Sequence, residues 1–295
     1  MNNKRPKSFP PPLDTMSAIE IATLMNREDA NVALAVRKVL PQIADAIEVI
    51  AGRFARGGRL IYVGAGTSGR IGALDASECP PTFNTDQNMV QYVIAGGLKA
   101  LGAAAEAKED LAELGRRDIA ERKPGKKDVV VGLAASGRTP YTVAAVQYAR
   151  TKGAATVAIT CVANSLLAQS ADTAIEVNVG SEVLSGSTRL KAGTAEKMVC
   201  NMLTTGALAR LGYVYNDLMV NVRTTSAKLR ERGIEILMQA ANTDCDSALT
   251  ALKAADMDVP VALVLLKAGV SVTEARRRLK AAKGRVREAI DGSRN

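Results

Sequence analysis

The chain has 295 residues, 47% of them hydrophobic and 23% charged, which is enough to bury a sizeable core and excludes overall disorder. It contains no histidine, so Ser-His-Asp triads, histidine general bases and most catalytic zinc sites are ruled out. A net charge of +9 suits anionic partners, while 3% aromatic residues leave few platforms for stacking nucleic-acid bases.

Residues 1–16 are polar and proline-rich, and Pro10-Pro11-Pro12 can neither pair nor coil, so a flexible arm is expected. From Ser17 to about Arg56 the apolar spacing is helical, with an expected break at Arg27-Glu28-Asp29 and a kink or division at Pro41. Five short apolar runs follow: RLIYVGAG (59–66), MVQYVIAGG (89–97), DVVVGLAAS (128–136), AATVAITCV (154–162) and TAIEVNVG (173–180). Helix-like stretches such as GLKALGAAAEAKEDLAEL and TPYTVAAVQYARTKG separate them. Runs buried on both faces and joined by helices predict an α/β fold with a five-stranded parallel, doubly wound sheet.

After the fifth run, SEVLSGSTRLKAGTAEKMVCNMLTTGALARLG starts as a polar loop and becomes an apolar helix. LMVNVRTTSAKLRERGIEIL is expected to be another helix, leading out of a domain spanning 17–230. Residues 231–295 then read as a small helical bundle with units at 246–255, 259–268 and 272–282. No apolar run is long enough to span a membrane, and the basic start has no apolar stretch behind it, so a soluble cytoplasmic protein is expected. The four cysteines lie far apart with no CxxC pair, which argues against a disulfide framework or a zinc cluster. The basic stretch EARRRLKAAKGRVREAI alternates with apolar residues as a solvated helix face does, so no nucleic-acid partner is expected.

Residues 64–69, GAGTSG, have the spacing of a dinucleotide-binding fingerprint, with a strand before and a helix after. The required acid at the end of the second strand is missing: MVQYVIAGG runs into Leu98 and Lys99, and Asp86 precedes that strand. Thr67 and Ser68 instead put two hydroxyls among backbone N–H groups at a helix start, which suits a phosphate monoester. LAASGRTP, after the third run, shares Ser-Gly-Arg with GTSGR after the first. In a sheet of order 2-1-3-4-5 these runs are neighbours at the switch point, so Gly66, Thr67, Ser68 and Gly69 would share one phosphate crevice with Ser136, Gly137, Arg138 and Thr139.

Without histidine, acid-base work falls chiefly to carboxylates, with lysine, tyrosine and cysteine as alternatives. Glu78 is followed at once by Pro80-Pro81, which are expected to end its helix and place the carboxyl where the helix dipole disfavours negative charge. Glu106, Glu109 and Glu113 share one face if the next segment is a continuous helix, and no spacing rule selects a base among them.

The stretches IYVGAGTSGRIGALDASECPPTF, VVGLAASGRTPYTVAA, SEVLSGSTRLKAGTAEKMVCNMLTTGA and LMVNV together resemble the N-acetylmuramic acid 6-phosphate etherases of the sugar isomerase (SIS) superfamily. The resemblance runs from about residue 25 to the end. It implies a carbon–oxygen lyase that converts N-acetylmuramic acid 6-phosphate and water to N-acetylglucosamine 6-phosphate and D-lactate in cell-wall recycling, with no metal or nucleotide cofactor. It also implies Glu78 as proton donor, Glu109 as the second catalytic glutamate and base, and a homodimer. Ser185, Ser187, Thr188 and Lys191 are further candidates to line the substrate. The chain departs from the family's usual pattern at Leu98, Lys108, Asn221 and Ser226. A non-catalytic sugar-phosphate regulator and an aldose-ketose isomerase use the same fold and remain alternatives.

Overall fold

The computed structural model describes residues 11–103, 108–222, 224 and 226–292; the first ten residues of the expected arm and Glu106 lie outside them. Two helices come first, α1 (Ala18–Arg37) and α2 (Leu40–Phe54). A capping box starts α1: the Glu20 carboxylate accepts from the Ser17 N–H at 2.8 Å and from its hydroxyl at 2.6 Å. The expected break at residues 27–29 does not occur: Arg27 and Glu28 are good helix formers, and Glu28 has an ion partner in Lys191. The chain bends instead at Lys38-Val39, and Pro41 falls in the first turn of α2, where its missing N–H costs nothing.

The five apolar runs all form strands: β1 (Leu60–Gly64), β2 (Val90–Ile94), β3 (Val129–Leu133), β4 (Ala155–Thr160) and β5 (Thr173–Glu176). They pair in parallel in the order β2-β1-β3-β4-β5. The connecting helices are α3 (Gly66–Phe83), α4 (Ala112–Glu121), α5 (Pro140–Thr151) and α6 (Leu166–Ser170), and α7 (Lys191–Arg210) follows the sheet. Strand alternation sorts the core. Leu60, Tyr62, Val129, Val131 and Leu133 face α2, α3 and α7, whereas Ile61, Val63 and Val130 face α4, α5 and α6.

Three local expectations fail for tertiary reasons. The segment 97–121 is not one helix: a 3-10 turn at Gly97–Leu101 comes first, and α4 starts only at Ala112. Its start is fixed from outside, since the Tyr141 N–H donates to the Glu109 carbonyl at 3.0 Å, so Glu109 lies in a turn and shares no helix face with Glu113. Pro80 and Pro81 do not end α3, which runs on to Phe83 and stops at left-handed Asn84 (φ 55°). LMVNV is not helical either; α8 (Ala227–Ala241) begins after Ser226, whose hydroxyl accepts from the Leu229 N–H.

Beyond α8 lie α9 (Cys245–Ala254), α10 (Val259–Ala268), α11 (Val272–Ala281) and a fourth short helix not read from sequence, α12 (Val286–Asp291). Asp244, Asp258 and Ser271 cap the first three through their side chains. Together with α8 they enclose a separate apolar core that includes Tyr215, Leu252, Leu263 and Val286. Among the described residues no helix is long and apolar enough to cross a membrane.

Candidate active site

Both Ser-Gly-Arg loops leave the sheet from adjacent strands, as Gly64 of β1 is in register with Leu133 of β3. The first enters α3 directly. Gly66 adopts φ +53°, and Thr67, Ser68 and Gly69 form the first helical turn. The N-cap, Ala65, makes no side-chain cap, so the opening N–H groups of α3 are not held by their own N-cap residue. Gly69 is required by packing: a Cβ there would come within 2.7 Å of Ile94 and 2.9 Å of the Gly64 carbonyl. Arg70 turns away from the crevice and donates to the carbonyls of Ala100 (2.9 Å) and Ala103 (2.8 Å), tying the 3-10 turn to α3.

The second loop stands just before its helix. Gly137 is buried at φ +62°, the Ser136 hydroxyl accepts from the Arg138 N–H at 3.3 Å, and Thr139 is the N-cap of α5 without making a capping bond. Ser136 and Arg138 also line a recess of about 450 Å³ with residues 162–166.

The helix α7 starts beside the first loop. A Cβ on Gly193 would meet Thr67 at 3.5 Å and the Thr188 carbonyl at 3.6 Å, so the starts of α7 and α3 abut. Ser185 and Thr188 are exposed and Ser187 is half-buried in the loop before α7. Lys191 is not presented to the crevice: it is buried and its ammonium binds the Glu28 carboxylate at 2.9 Å, holding α1 to α7. The α7 N-terminus is occupied internally, because Glu182 accepts from the N–H groups of Lys191 (3.1 Å) and Ala192 (2.9 Å).

Sequence reasoning missed Glu196. It stands on α7 at 1% exposure, with Oε1 accepting from the Ser68 hydroxyl at 2.8 Å and Oε2 buried without a partner among the described residues. Burial pushes its carboxyl up to about 8, with the Ser68 hydrogen bond pulling the other way. The signal was available: Glu196 falls on the stripe of Ala192, Ala195, Val199, Cys200 and Leu203, where every other residue is apolar or small.

Glu78 is exposed on α3, ten residues or about 15 Å of helix from Ser68. One turn before it, buried Asp75 accepts from the Tyr62 hydroxyl (2.8 Å), Asn201 (2.6 Å) and Thr204 (3.2 Å), locking α3 between β1 and α7. Burial raises the Asp75 carboxyl above its ordinary range, against the lowering effect of those three donors. Glu109 is half-buried, and its carbonyl bond to Tyr141 sets it beside the second loop. Ser77 and Lys108, the chain neighbours of Glu78 and Glu109, both line a groove of about 860 Å³ along the outer edge of β2, where exposed Leu98 also lies. Among the described residues no His/Cys/Asp/Glu cluster could hold a metal ion.

The SIS domain family model matches residues 124–206, and that of the glucokinase regulatory protein N-terminal SIS domain matches residues 42–150. The chain is 52% identical over 278 residues to a Mycolicibacterium smegmatis protein named N-acetylmuramic acid 6-phosphate etherase, covering 94% of this chain and 93% of the relative. A Symbiobacterium thermophilum protein of the same name is 55% identical over 259 residues, covering 88% and 86%. Among solved structures, a phosphoheptose isomerase from Francisella tularensis superposes with a TM-score of 0.50 at 17% identity, over 64% of this chain and 100% of that one, which is a likeness of fold.

Proposed function

This chain belongs to the N-acetylmuramic acid 6-phosphate etherases, and from that premise we propose how its crevice works. It is an enzyme that cleaves the D-lactyl ether of N-acetylmuramic acid 6-phosphate with water, giving N-acetylglucosamine 6-phosphate and D-lactate in cell-wall amino-sugar recycling. The observation that supports the placement of substrate is that both glycine loops leave adjacent strands at the β1/β3 switch point, with the start of α7 against the first of them. There the N–H groups of the α3 start and the hydroxyls of Thr67, Ser68, Ser136 and Thr139 receive the phosphate, with Gly66, Gly69, Gly137 and Arg138 shaping the seat. Ser185, Ser187 and Thr188 come from the loop before α7 and line the substrate; Lys191 acts at one remove, by holding α1 and α7 together through Glu28.

With phosphate at the α3 start, an extended sugar runs along that helix toward Glu78, and about 15 Å accommodates the carbon chain with a hydrogen bond at each end. In the open-chain form the ether lies beta to the aldehyde. The Glu109 carboxylate removes the proton next to the carbonyl, the electron pair forms the double bond, and lactate departs as Glu78 protonates the ether oxygen. Water then adds to the unsaturated aldehyde, replacing lactate by a hydroxyl. The reading also takes the protein as a cytoplasmic homodimer with no nucleic-acid or membrane partner.

The test is release of D-lactate from N-acetylmuramic acid 6-phosphate. Glu78→Gln and Glu109→Gln should each lower kcat by about 10²- to 10⁴-fold while circular dichroism stays native. No lactate from folded wild-type protein would overturn the reading, and full activity in either variant would remove that residue from the chemistry.

A further inference from the structure

We propose that Glu196 is a proton-linked positioning residue for the phosphate seat: its neutral carboxyl frees Ser68 to donate to the substrate, and its carboxylate takes that donor away. This deepens the etherase reading and rests on its assignment of the α3 start to phosphate. The geometry is specific. Ser68 Oγ lies 2.8 Å from Glu196 Oε1, and a hydroxyl has one proton to give. When Glu196 is ionised, that proton is held by the carboxylate, and Ser68 can offer phosphate only lone pairs. When Glu196 is neutral, its own O–H can donate to Ser68 Oγ, and the serine proton turns to the phosphate. The ionised form also sets a buried negative charge beside a dianion, with no ion partner on the carboxylate and no hydrogen bond to Oε2 among the described residues.

The other groups facing Glu196 do not substitute for it. Cys161, beyond β4, is pushed up to about 12, chiefly by burial, and Cys200, four residues on along α7, is raised well above the ordinary thiol range, so both stay protonated. Glu182 is engaged by the α7 N–H groups and Lys191 by Glu28. On α3, Asp75 is two turns away and turned to Tyr62, Asn201 and Thr204. A phosphate monoester has its second ionisation near pH ~6, so above neutral pH the substrate is a constant dianion and the protein carboxyl is what titrates. Glu196 does so at about 8.

The experiment is a pH series from 7 to 9.5 on wild type and Glu196→Gln, reading KM and kcat separately, with calorimetry of N-acetylglucosamine 6-phosphate binding in two buffers of different ionisation enthalpy. Wild-type KM should rise about tenfold from pH 8 to 9.5 with kcat following no such profile, and binding at pH 8 should take up a fraction of a proton. In Glu196→Gln, whose amide donates at every pH, KM should be flat, about tenfold below wild type at pH 9.5, and proton uptake should vanish. A variant that keeps the wild-type KM profile, or wild-type binding without proton uptake, overturns the linkage. The calorimetry needs no turnover. Proton uptake without lactate at any pH would retain the linkage and defeat the etherase reading, whereas lactate without uptake would do the reverse.

Discussion

The two Ser-Gly-Arg loops look like copies in sequence and are different constructions in space. In the first, the left-handed glycine, Gly66, precedes the serine, so Ser68, Gly69 and Arg70 are already helical. In the second, the left-handed glycine is Gly137, inside the tripeptide, so Ser136 and Arg138 lie on either side of the turn and the helix starts two residues later. The arginines diverge accordingly: Arg70 ties down the 97–103 segment, and Arg138 lines the recess beside residues 162–166. Shared letters mark a shared place at the sheet's carboxyl edge; the position of the positive-φ glycine decides what each letter does.

The sharpest way to break the pair apart is an alanine at each left-handed glycine. Both substitutions impose an unfavourable backbone, worth about 1 kcal/mol. Only Gly137 adds a collision, because a Cβ there would lie 2.2 Å from Ser165 Oγ and 2.3 Å from its Cβ, whereas nothing lies within 4 Å of one on Gly66. Gly137→Ala should therefore lose about 3 kcal/mol or more in urea unfolding, and Gly66→Ala about 1 kcal/mol. Equal losses would mean that the second loop yields as easily as the first.

That contrast also shows what a sequence can disclose. The sheet was legible because five short apolar runs separated by helix-like stretches leave little choice but parallel strands; Gly64 and Gly132 did not obscure them, and neither did the partial exposure of the edge strands β2 and β5. Glu78 and Glu109 came from the resemblance, since neither position alone selects a role. Elements fixed by distant partners were illegible: the start of α4 depends on Tyr141, the continuity of α1 through Glu28 has Lys191 behind it, and α3 passes Pro80 and Pro81 because Asp75, Cys79 and Phe83 are buried along it. Glu196 was visible as an acid on an apolar stripe, but its contact with Ser68 spans 128 residues of chain.

The first loop alone has a buried carboxyl behind its serine, which gives the comparison a stability test. In the unfolded chain Glu196 loses its proton near the ordinary 4.5; in the folded protein it keeps it to about 8. Between those values the native state binds more protons, so stability is fully present below pH 4.5, falls as pH rises, and levels off above 8. Glu196→Gln removes this slope. Its advantage over wild type in thermal melting should grow from near zero at pH 4.5 to on the order of 4 kcal/mol at pH 8. A constant difference across that range would mean that water or a cation relieves the buried charge.

The smallest effect separates the serines themselves. If both hydroxyls donate to phosphate, Ser68→Ala and Ser136→Ala should each raise KM at pH 7 by about tenfold, the loss of about 1.4 kcal/mol for a hydrogen bond to a charged group. Their pH dependence should differ. Ser136 accepts from the Arg138 N–H, which leaves its proton for the ligand, so its penalty should persist to pH 9.5. Ser68 shares its proton with Glu196, and once that carboxyl ionises the wild-type serine has already been withdrawn from the phosphate. The Ser68→Ala penalty should therefore shrink toward parity at high pH, because the substitution removes a donor the substrate no longer has. Parallel pH profiles for the two variants would show the loops to be equivalent at the ligand despite their different backbones.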